Sequence, residues 1–151
     1  MKNIGDKIND LLGLDADGNE IRLSNYPGKK IALYFYPKDN TPGCTAQACD
    51  LRDNYKALLD AGYQVIGVSI DSAASHKKFI EKHSLPFPLI TDPDHKMVEE
   101  WGVWDKKKLA GREYMGTLRT TFIISPEATI ERIIPPKQIK TKIHASLILK
   151  P

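Results

Sequence analysis

One stretch in the first half of the chain, residues 31–54, constrains the fold most strongly. It begins with six apolar or aromatic residues, 31–36, that lack the polar alternation of a half-exposed strand. Such a run is typical of a strand buried on both faces in the middle of a sheet. Pro37 ends the run, turn formers follow, and the residues from Cys44 onward favour a helix. The stretch therefore predicts a central strand, a tight loop and a helix with Cys44 in its first turn.

The position of Cys44 at the start of a helix has a chemical consequence. Only the thiolate of a cysteine is a nucleophile, and an ordinary thiol is mostly protonated at neutral pH. The unpaired N–H groups and partial positive charge of a helix N-terminus favour the anion. Thr41 lies three residues upstream, where its hydroxyl is placed to hydrogen-bond the sulfur or a bound oxygen. Pro37 and Pro42 stiffen the loop because proline fixes its backbone angle.

Cys49 is the second of the chain's two cysteines, and it follows Cys44 by five residues. On a continuous helix this spacing separates the two Cα atoms by about 8.7 Å. A disulfide requires Cα atoms within about 7 Å of each other. The two cysteines therefore either never pair or pair only after the first helical turns unwind. From the spacing alone, a pair of buried structural cysteines is an equally good interpretation.

Composition and charge argue against several classes of protein. The chain has 151 residues, enough for one domain with its own core. Its net charge of +3, from 22 basic and 19 acidic residues, predicts neither a nucleic acid nor a membrane as partner. No apolar run approaches the roughly 18 residues of a membrane span, and the N-terminus lacks the apolar core of a signal peptide. We therefore expect a single cytoplasmic domain, 1–151, in which a reducing pool keeps both thiols free.

The rest of the chain alternates predicted strands and helices. A weakly alternating run at residues 8–14, a turn at 15–19 and a short strand at 20–23 predict an N-terminal hairpin. The later predicted elements are, in order, the reactive helix to about residue 62, a buried strand at 64–70, a helix capped at 71–72, a short strand at 89–90, a helix opened by 92–94, a loop at 102–116, an antiparallel pair at 119–124 and 129–134, and a final helix carrying Ile139, Ile143, Leu147 and Ile148 on one face. This order predicts a layered α/β domain.

The other residues that often carry chemistry show no site pattern. Four histidines, His76, His83, His95 and His144, lack the spacing of metal ligands, so we expect them at the surface or at helix ends. The chain contains no C-x-x-C, dinucleotide-binding or P-loop motif. The sequence therefore predicts no metal and no cofactor. The lysine run at 106–108 is expected in a solvated loop, where it would at most steer an acidic reductant.

The residues around Cys44 resemble a known family. The run Pro37-x-x-x-Thr41-x-x-Cys44 matches the active-site signature of the peroxiredoxins. The longer run from Tyr34 to Cys49 resembles the Q-type subfamily, also called bacterioferritin comigratory protein. The resemblance covers nearly the whole chain. It implies a thioredoxin-like fold, with a central mixed sheet flanked by helices and an N-terminal hairpin extension.

The resemblance also implies a function and its residues. It predicts a thiol peroxidase for antioxidant defence that reduces hydrogen peroxide and organic hydroperoxides, with Cys44 as peroxidatic and Cys49 as resolving cysteine. Thioredoxin or a similar dithiol would reduce their disulfide, and a monomer suffices because the pair is intramolecular. Arg119 begins a run that looks like the family's arginine-bearing strand, whereas its position alone suggests a solvated sheet end. With Pro37 and Thr41, Arg119 would orient the peroxide and stabilise charge.

Two other functions are compatible with the same residues. A redox-sensing interaction protein would use the oxidation of Cys44 as a switch and turn over little peroxide. A structural or chaperone-like domain would hold both cysteines inert. Sustained peroxide consumption distinguishes the first alternative, and thiol titration with a bulky reagent distinguishes the second.

Overall fold

The computed structural model describes residues 1–150, and Pro151, the last residue of the predicted domain, lies outside them. The described residues form nine strands, named in chain order: β1 (Leu11–Asp15), β2 (Glu20–Arg22), β3 (Lys30–Phe35), β4 (Tyr63–Ser69), β5 (Leu89–Thr91), β6 (Trp104–Leu109), β7 (Arg112–Thr117), β8 (Thr120–Ile124) and β9 (Ile130–Ile134). They also form five α-helices: α1 (Pro42–Asp53), α2 (Tyr55–Asp60), α3 (Ala73–His83), α4 (Lys96–Glu100) and α5 (His144–Leu149).

Seven of the strands form one mixed sheet in the order β2-β1-β5-β4-β3-β8-β9. The pairs β3–β4 and β4–β5 are parallel, and the other four pairs are antiparallel. The predicted central mixed sheet is therefore confirmed, and β1 with β2 forms the predicted N-terminal hairpin. None of the helices among residues 1–150 combines the length and apolar character needed to cross a bilayer.

Strand β3 is covered on both faces, as its unbroken apolar sequence predicts. Leu33 and Phe35 belong to one core, together with Trp101. Tyr34 and Tyr36 point to the opposite face and belong to a second core, which also contains side chains of α1, α3 and α5. Because successive strand residues face opposite sides, the sheet separates these two cores. The thiol-bearing helix lies over the second one.

Helix α1 starts where the sequence predicts but ends earlier. Thr41 occupies the N-cap with extended backbone angles (φ −83°, ψ 152°), and Pro42 fills the first helical position, where its missing N–H costs nothing. The predicted helix to residue 62 is wrong, because the chain breaks at Asn54 into α1 and α2. The Asn54 side-chain amide donates to the carbonyl of Asp50 at 2.8 Å, which satisfies an acceptor near the end of α1.

The predicted loop at 102–116 is also wrong, because most of it forms the two-stranded hairpin β6–β7. Leu109 pairs with Arg112, and the two residues between them, Ala110 and Gly111, both have positive φ (51° and 79°). Two such residues make a tight turn whose twist matches that of a hairpin. Within β6, Lys107 is half-buried while Lys106 and Lys108 are exposed, as expected for the two-residue period of a strand.

The C-terminal segment corrects two further predictions. The single helix expected across Ile139 to Ile148 is wrong, since two 3-10 turns, at residues 136–138 and 141–143, precede the short α5. The Asp50 carboxylate of α1 accepts the backbone N–H of Ala145 at 2.7 Å, so a tertiary contact fixes the start of α5. The expectation of exposed histidines fails for His76 and His144, whose side chains are both fully buried.

Candidate active site

The loop from β3 to α1 is held in place by the buried carboxylate of Asp39. This carboxylate accepts hydrogen bonds from Tyr36 Oη at 2.6 Å, Ser75 Oγ at 2.8 Å and His76 Nδ1 at 2.7 Å. The backbone N–H of Asp39 donates to the carboxylate of Asp71 at 2.8 Å. Burial acts to raise the pKa of Asp39, but the bonds from His76 and Tyr36 outweigh it and lower the pKa. The loop is thereby tied to β3 and to α3.

The same groups also have the spacing of a metal site. Ligand atoms of Asp39, Asp71 and His76 lie within 4.8 Å of one another. Both ring nitrogens of His76 are occupied, one by Asp39 and the other by the carbonyl of Ile90 at 2.9 Å. The carboxylate of Asp71 accepts from Ser69 Oγ at 2.6 Å in addition to the Asp39 N–H. We assign these groups to holding the loop, because their ligand atoms are engaged with one another.

Cys44 is the third residue of α1 and carries a free thiol that is 1% exposed. Its own N–H and that of Gly43 belong to the first helical turn, whose N–H groups have no carbonyl partner within the helix. Thr41 Oγ1 donates to the carbonyl of Lys38 at 2.9 Å rather than to the sulfur. The lone pairs of this hydroxyl therefore remain as acceptors for another partner. Pro37 is half-buried and lies two residues after the end of β3, in the loop that leads to α1.

Arg119 immediately precedes β8, and its side chain extends to the first two turns of α1. Its Nη1 donates to Gln47 Oε1 at 2.9 Å. Its Nη2 lies only 2.8 Å from the point where a Cβ on Gly43 would stand. The guanidinium therefore contacts α1 on both sides of Cys44 in sequence. The structure brings Thr41, Cys44 and Arg119 together around one helix end.

A chain of buried side chains continues from Arg119 through Gln47. Gln47 Nε2 lies 2.6 Å from His144 Nδ1, and His144 Nε2 lies 2.8 Å from Thr121 Oγ1. Arg119 has only donors, so the amide oxygen of Gln47 must face it and the amide NH2 must face His144. His144 Nδ1 is then an acceptor and Nε2 carries the proton. Burial, and then the charge of Arg119, lowers the pKa of His144 to about 4, so the ring is neutral at neutral pH.

Two more side chains shape the electrostatics of the site. Lys107 Nζ donates to the carbonyl of Thr117 at 3.1 Å. Burial and then the charge of Arg119 lower the pKa of Lys107, whereas a Cys44 thiolate acts to raise it. Tyr34 is fully buried, and its pKa is raised well above the ordinary value by burial and then by a Cys44 thiolate. The electrostatic surroundings of Cys44 therefore include the Lys107 amine and a buried phenol that stays protonated at neutral pH.

Cys49 lies within the same helix as Cys44, and its thiol is free and half-buried. A continuous α1 carries both residues, so the separation expected from helical geometry applies to this state. Cys49 Sγ lies 3.8 Å from His83 Nδ1, which is within hydrogen-bonding range for sulfur. The two cysteines therefore have different surroundings, with Arg119 on the side of Cys44 and His83 on the side of Cys49.

Sequence reasoning missed Gln47, His144 and Lys107 as parts of this site. Gln47 had a usable signal, because it follows Cys44 by three residues and so shares its helix face, between two alanines. Lys107 had a weaker signal. If residues 106–108 form a strand, their side chains alternate between its two faces, so the middle lysine points to the opposite face from its neighbours. His144 had none, because its partners lie 97 and 23 residues away along the chain.

Comparison with known proteins gives consistent matches over nearly the whole chain. The family model described as the AhpC/TSA family matches residues 4–133. Peroxiredoxin Bcp of Bacillus subtilis (strain 168) is 46% identical over 147 residues, which cover 97% of this chain and 92% of that protein. Peroxiredoxin Bcp of Escherichia coli (strain K12) is 41% identical over 135 residues, which cover 89% and 85% of the two chains.

Solved structures resemble the fold just as closely. A cysteine-to-serine mutant of PrxQ from Xylella fastidiosa superposes with a TM-score of 0.86 at 33% identity, covering 99% of this chain and 94% of that one. The bacterioferritin comigratory protein of Xanthomonas campestris, studied for its alkyl peroxide reduction activity, gives a TM-score of 0.81 at 32% identity, covering 95% of each chain.

Proposed function

The chain belongs to the AhpC/TSA family as a thioredoxin-like peroxiredoxin and thiol peroxidase of the Bcp type, and from this membership we propose the roles of its own residues. Cys44 is the peroxidatic cysteine and Cys49 the resolving one. The observation that carries the proposal is the buried Cys44 thiol in the first turn of α1, beside a guanidinium fixed by Gln47. Donors at a helix N-terminus and a fixed cation are the groups that stabilise a thiolate and an oxyanion.

In the first step, the Cys44 thiolate attacks one oxygen of the peroxide. A bond forms between sulfur and that oxygen, the O–O bond breaks, and the other oxygen leaves as alkoxide or hydroxide and takes up a proton. Arg119 and the free N–H groups of the first turn bind the oxygens as charge moves along this line. Thr41 accepts a hydrogen bond from the peroxide O–H, which fits a hydroxyl that already donates to Lys38. Cys44 is left as a sulfenic acid.

Organic hydroperoxides are substrates alongside hydrogen peroxide under this proposal. A shallow depression of about 490 Å³ lies beside Arg119 and is lined by residues 139–143. Its walls include Ile139 and Ile143, and the latter is 46% exposed. An apolar wall next to the guanidinium supports binding of an alkyl group while the peroxide oxygens reach the cation. The alkyl peroxide activity studied in the Xanthomonas campestris relative supports the same substrate class.

In the second step, Cys49 attacks the sulfenic sulfur, and an intramolecular disulfide forms with release of water. The first turns of α1 unwind to allow it, because the intact helix keeps the two Cα atoms too far apart. Thioredoxin or a similar dithiol then reduces the disulfide by exchange. We place this cycle in a compartment with a reducing pool such as the cytoplasm, because a chain of this length with two cysteines is not a secreted disulfide framework. Because both cysteines come from one chain, a monomer can complete the cycle.

The first experiment compares Cys44→Ser with the parent protein in a peroxide-consumption assay coupled to a thioredoxin system. We expect turnover to fall to the uncatalysed background, with the thermal unfolding midpoint almost unchanged, because serine fills nearly the same buried volume. Sustained turnover by the parent distinguishes a peroxidase from a redox switch. Turnover by a folded Cys44→Ser protein would refute the assignment of the nucleophile.

The second experiment identifies the resolving residue by mass spectrometry after one equivalent of peroxide. The parent should contain a Cys44–Cys49 disulfide. The matched variant Cys49→Ser should stop at a sulfenic acid on Cys44, which excess peroxide drives to the sulfinic acid. A disulfide between two different chains, or none at all in the parent, would contradict the proposed role of Cys49.

A further inference from the structure

A histidine faces the resolving thiol across the interface between two helices. Cys49 lies in the middle of α1, and His83 is the last residue of α3. The distance from Cys49 Sγ to His83 Nδ1 is 3.8 Å, within hydrogen-bonding range for sulfur. The proposed peroxide-binding groups are different ones, since Thr41 caps the start of α1 and Arg119 bonds to Gln47.

His83 is held at this position by two backbone features and one contact of its ring. Arg52 Nη1, one turn after Cys49 in α1, donates to the carbonyl of His83 at 2.8 Å. The His83 ring packs edge-on against Phe79, with ring centroids 5.2 Å apart. Ser84, in left-handed backbone conformation, ends α3 directly after it. The histidine and the thiol are therefore fixed to each other through the packing of α1 against α3.

The surroundings of His83 favour its neutral form. Burial, followed by the charges of Lys82 on its own helix and of Arg52 on α1, lowers the pKa of His83. Its Nε2 is buried and has no hydrogen-bond partner in the described part of the chain. For Nδ1 to accept the thiol proton, the neutral ring must carry its own N–H at Nε2, so protonation adds an N–H only at Nδ1, facing Cys49 Sγ. Because burial disfavours the charge, the imidazolium is stabilised mainly while a thiolate accompanies it. Such a ring takes a proton briefly and then passes it on.

We infer that His83 is the general base that takes the thiol proton of Cys49 when the sulfenic acid of Cys44 is resolved, an inference that rests on the proposed resolving role of Cys49. The proton moves from Cys49 Sγ to His83 Nδ1 while α1 is intact and the two atoms meet. After the first turns open, the Cys49 sulfur attacks the sulfenic sulfur. The S–S bond forms, the S–O bond breaks, and the leaving hydroxide recovers one proton to become water. His83 returns to its neutral form.

This base meets a need that the fold creates. Thiolate attack governs disulfide formation, and a free thiol of ordinary acidity is only roughly 3% thiolate at pH 7. The helix N-terminus and Arg119 favour the anion at Cys44, but Cys49 is the eighth residue of α1, beyond the reach of the first turn. A neutral histidine beside it supplies the missing activation. A general base of this kind contributes about 10²- to 10⁴-fold in well-aligned sites.

The test separates the two steps by rapid mixing with hydrogen peroxide, acid quench and mass analysis of the sulfenic and disulfide forms. His83→Asn keeps a hydrogen-bonding group near Nδ1 but removes the base, and His83→Phe keeps the ring packing on Phe79. In both variants we expect an unchanged rate of sulfenic acid formation and a rate of disulfide formation that is at least about tenfold lower at pH 7. His95→Asn, at a half-buried histidine whose ring packs on Trp104, is the matched control and should alter neither step.

The pH dependence gives a readout that a structural role would not produce. The resolution rate of the variants should rise steeply with pH up to the range of an ordinary thiol, whereas that of the parent should rise much less. A parent-like resolution rate and pH profile in both variants would overturn the inference and leave the peroxidase proposal intact. Equal slowing of both steps would assign His83 a structural role and also overturn it. Failure of the parent to form the Cys44–Cys49 disulfide would remove both proposals.

Discussion

At the scale of single residues, the position of Arg119, the proposed active-site cation, depends on two small features of α1. One Nη of Arg119 is held by the amide oxygen of Gln47, and the other lies against the backbone at Gly43. No side chain larger than hydrogen fits between that nitrogen and the helix. The distance between the guanidinium and the thiol is therefore set by the absence of a Cβ and by one hydrogen bond.

Gly43→Ala should lower the activity of the protein without lowering its stability. Its Cβ would stand 2.8 Å from Arg119 Nη2, so the guanidinium has to move away from the first turn. The atom in the way is the end of the flexible Arg119 side chain, so it can move at little cost. Alanine is also more favourable than glycine within a helix by about 0.5–1 kcal/mol. We expect an equal or higher unfolding midpoint together with a peroxide rate constant lowered about tenfold. A parent-like rate in stopped-flow measurements would show that the arginine position is unimportant.

Arg119→Lys should be far from conservative. A lysine keeps the charge but lacks the planar fork with which the arginine binds Gln47 and still faces the peroxide. Removal of one such oxyanion partner typically costs about a hundredfold in rate. We expect a loss of that size in the second-order rate constant with peroxide, and slower alkylation of Cys44 at pH 7. The matched control is Arg112→Lys, on an exposed site of the hairpin, which should match the parent in both assays.

His144 should make stability depend on pH in acid. Its pKa is about 4 in the folded protein, held down mainly by burial, and about 6.5 when unfolded. Between these values the unfolded chain binds a proton that the folded chain does not, so stability falls as pH decreases from 6.5 to 4. The loss from this one group is on the order of 3 kcal/mol. Urea unfolding at several pH values should show a flatter dependence in His144→Gln, and identical slopes would exclude this role.

At the scale of elements, the reactive helix was predictable at its start and not at its end. Thr41 and Pro42 are local signals, because an extended cap residue and a proline at the first position fix a helix start by themselves. The end at Asn54 depends on a side chain that bonds the preceding turn, and a sequence of good helix formers on both sides hides it. The hairpin β6–β7 was missed because charged residues, which usually mark loops, occupy its strands.

Formation of the Cys44–Cys49 disulfide should unwind the first turns of α1. The amides of residues 45–51 are expected to be protected from hydrogen exchange in the dithiol form and to lose that protection in the disulfide form. Unwinding also separates Gln47 from Arg119 and His144, so the cation of the active site loses its anchor at the same time. Amides of β4, in the centre of the sheet, serve as the internal control. Equal protection of residues 45–51 in both forms, with the disulfide verified by mass, would refute the unwinding.

At the scale of the whole molecule, what the sequence could not reveal is which distant side chains meet. The mixed sheet and the hairpin extension follow from periodicity and resemblance, and the structure confirms them. The bonds of Gln47 with His144 and of Cys49 with His83 join residues 97 and 34 positions apart. Contacts between residues so far apart in the chain produce no periodic pattern in the sequence. The burial of His76 and His144 escaped prediction for the same reason, since each depends on partners from other elements.

The bonds that fix α1 to its neighbours also bear on the reduction potential of the cysteine pair. Gln47 is bound to His144, Asp50 to the N–H of Ala145, and Arg52 to the carbonyl of His83. Under the proposed mechanism the dithiol form keeps these bonds and the disulfide form gives up those in the unwound turns. Each 1.4 kcal/mol that they contribute raises the potential of the pair by about 30 mV, which makes the disulfide easier to reduce. The packing of one helix thus adjusts how readily a dithiol regenerates the enzyme.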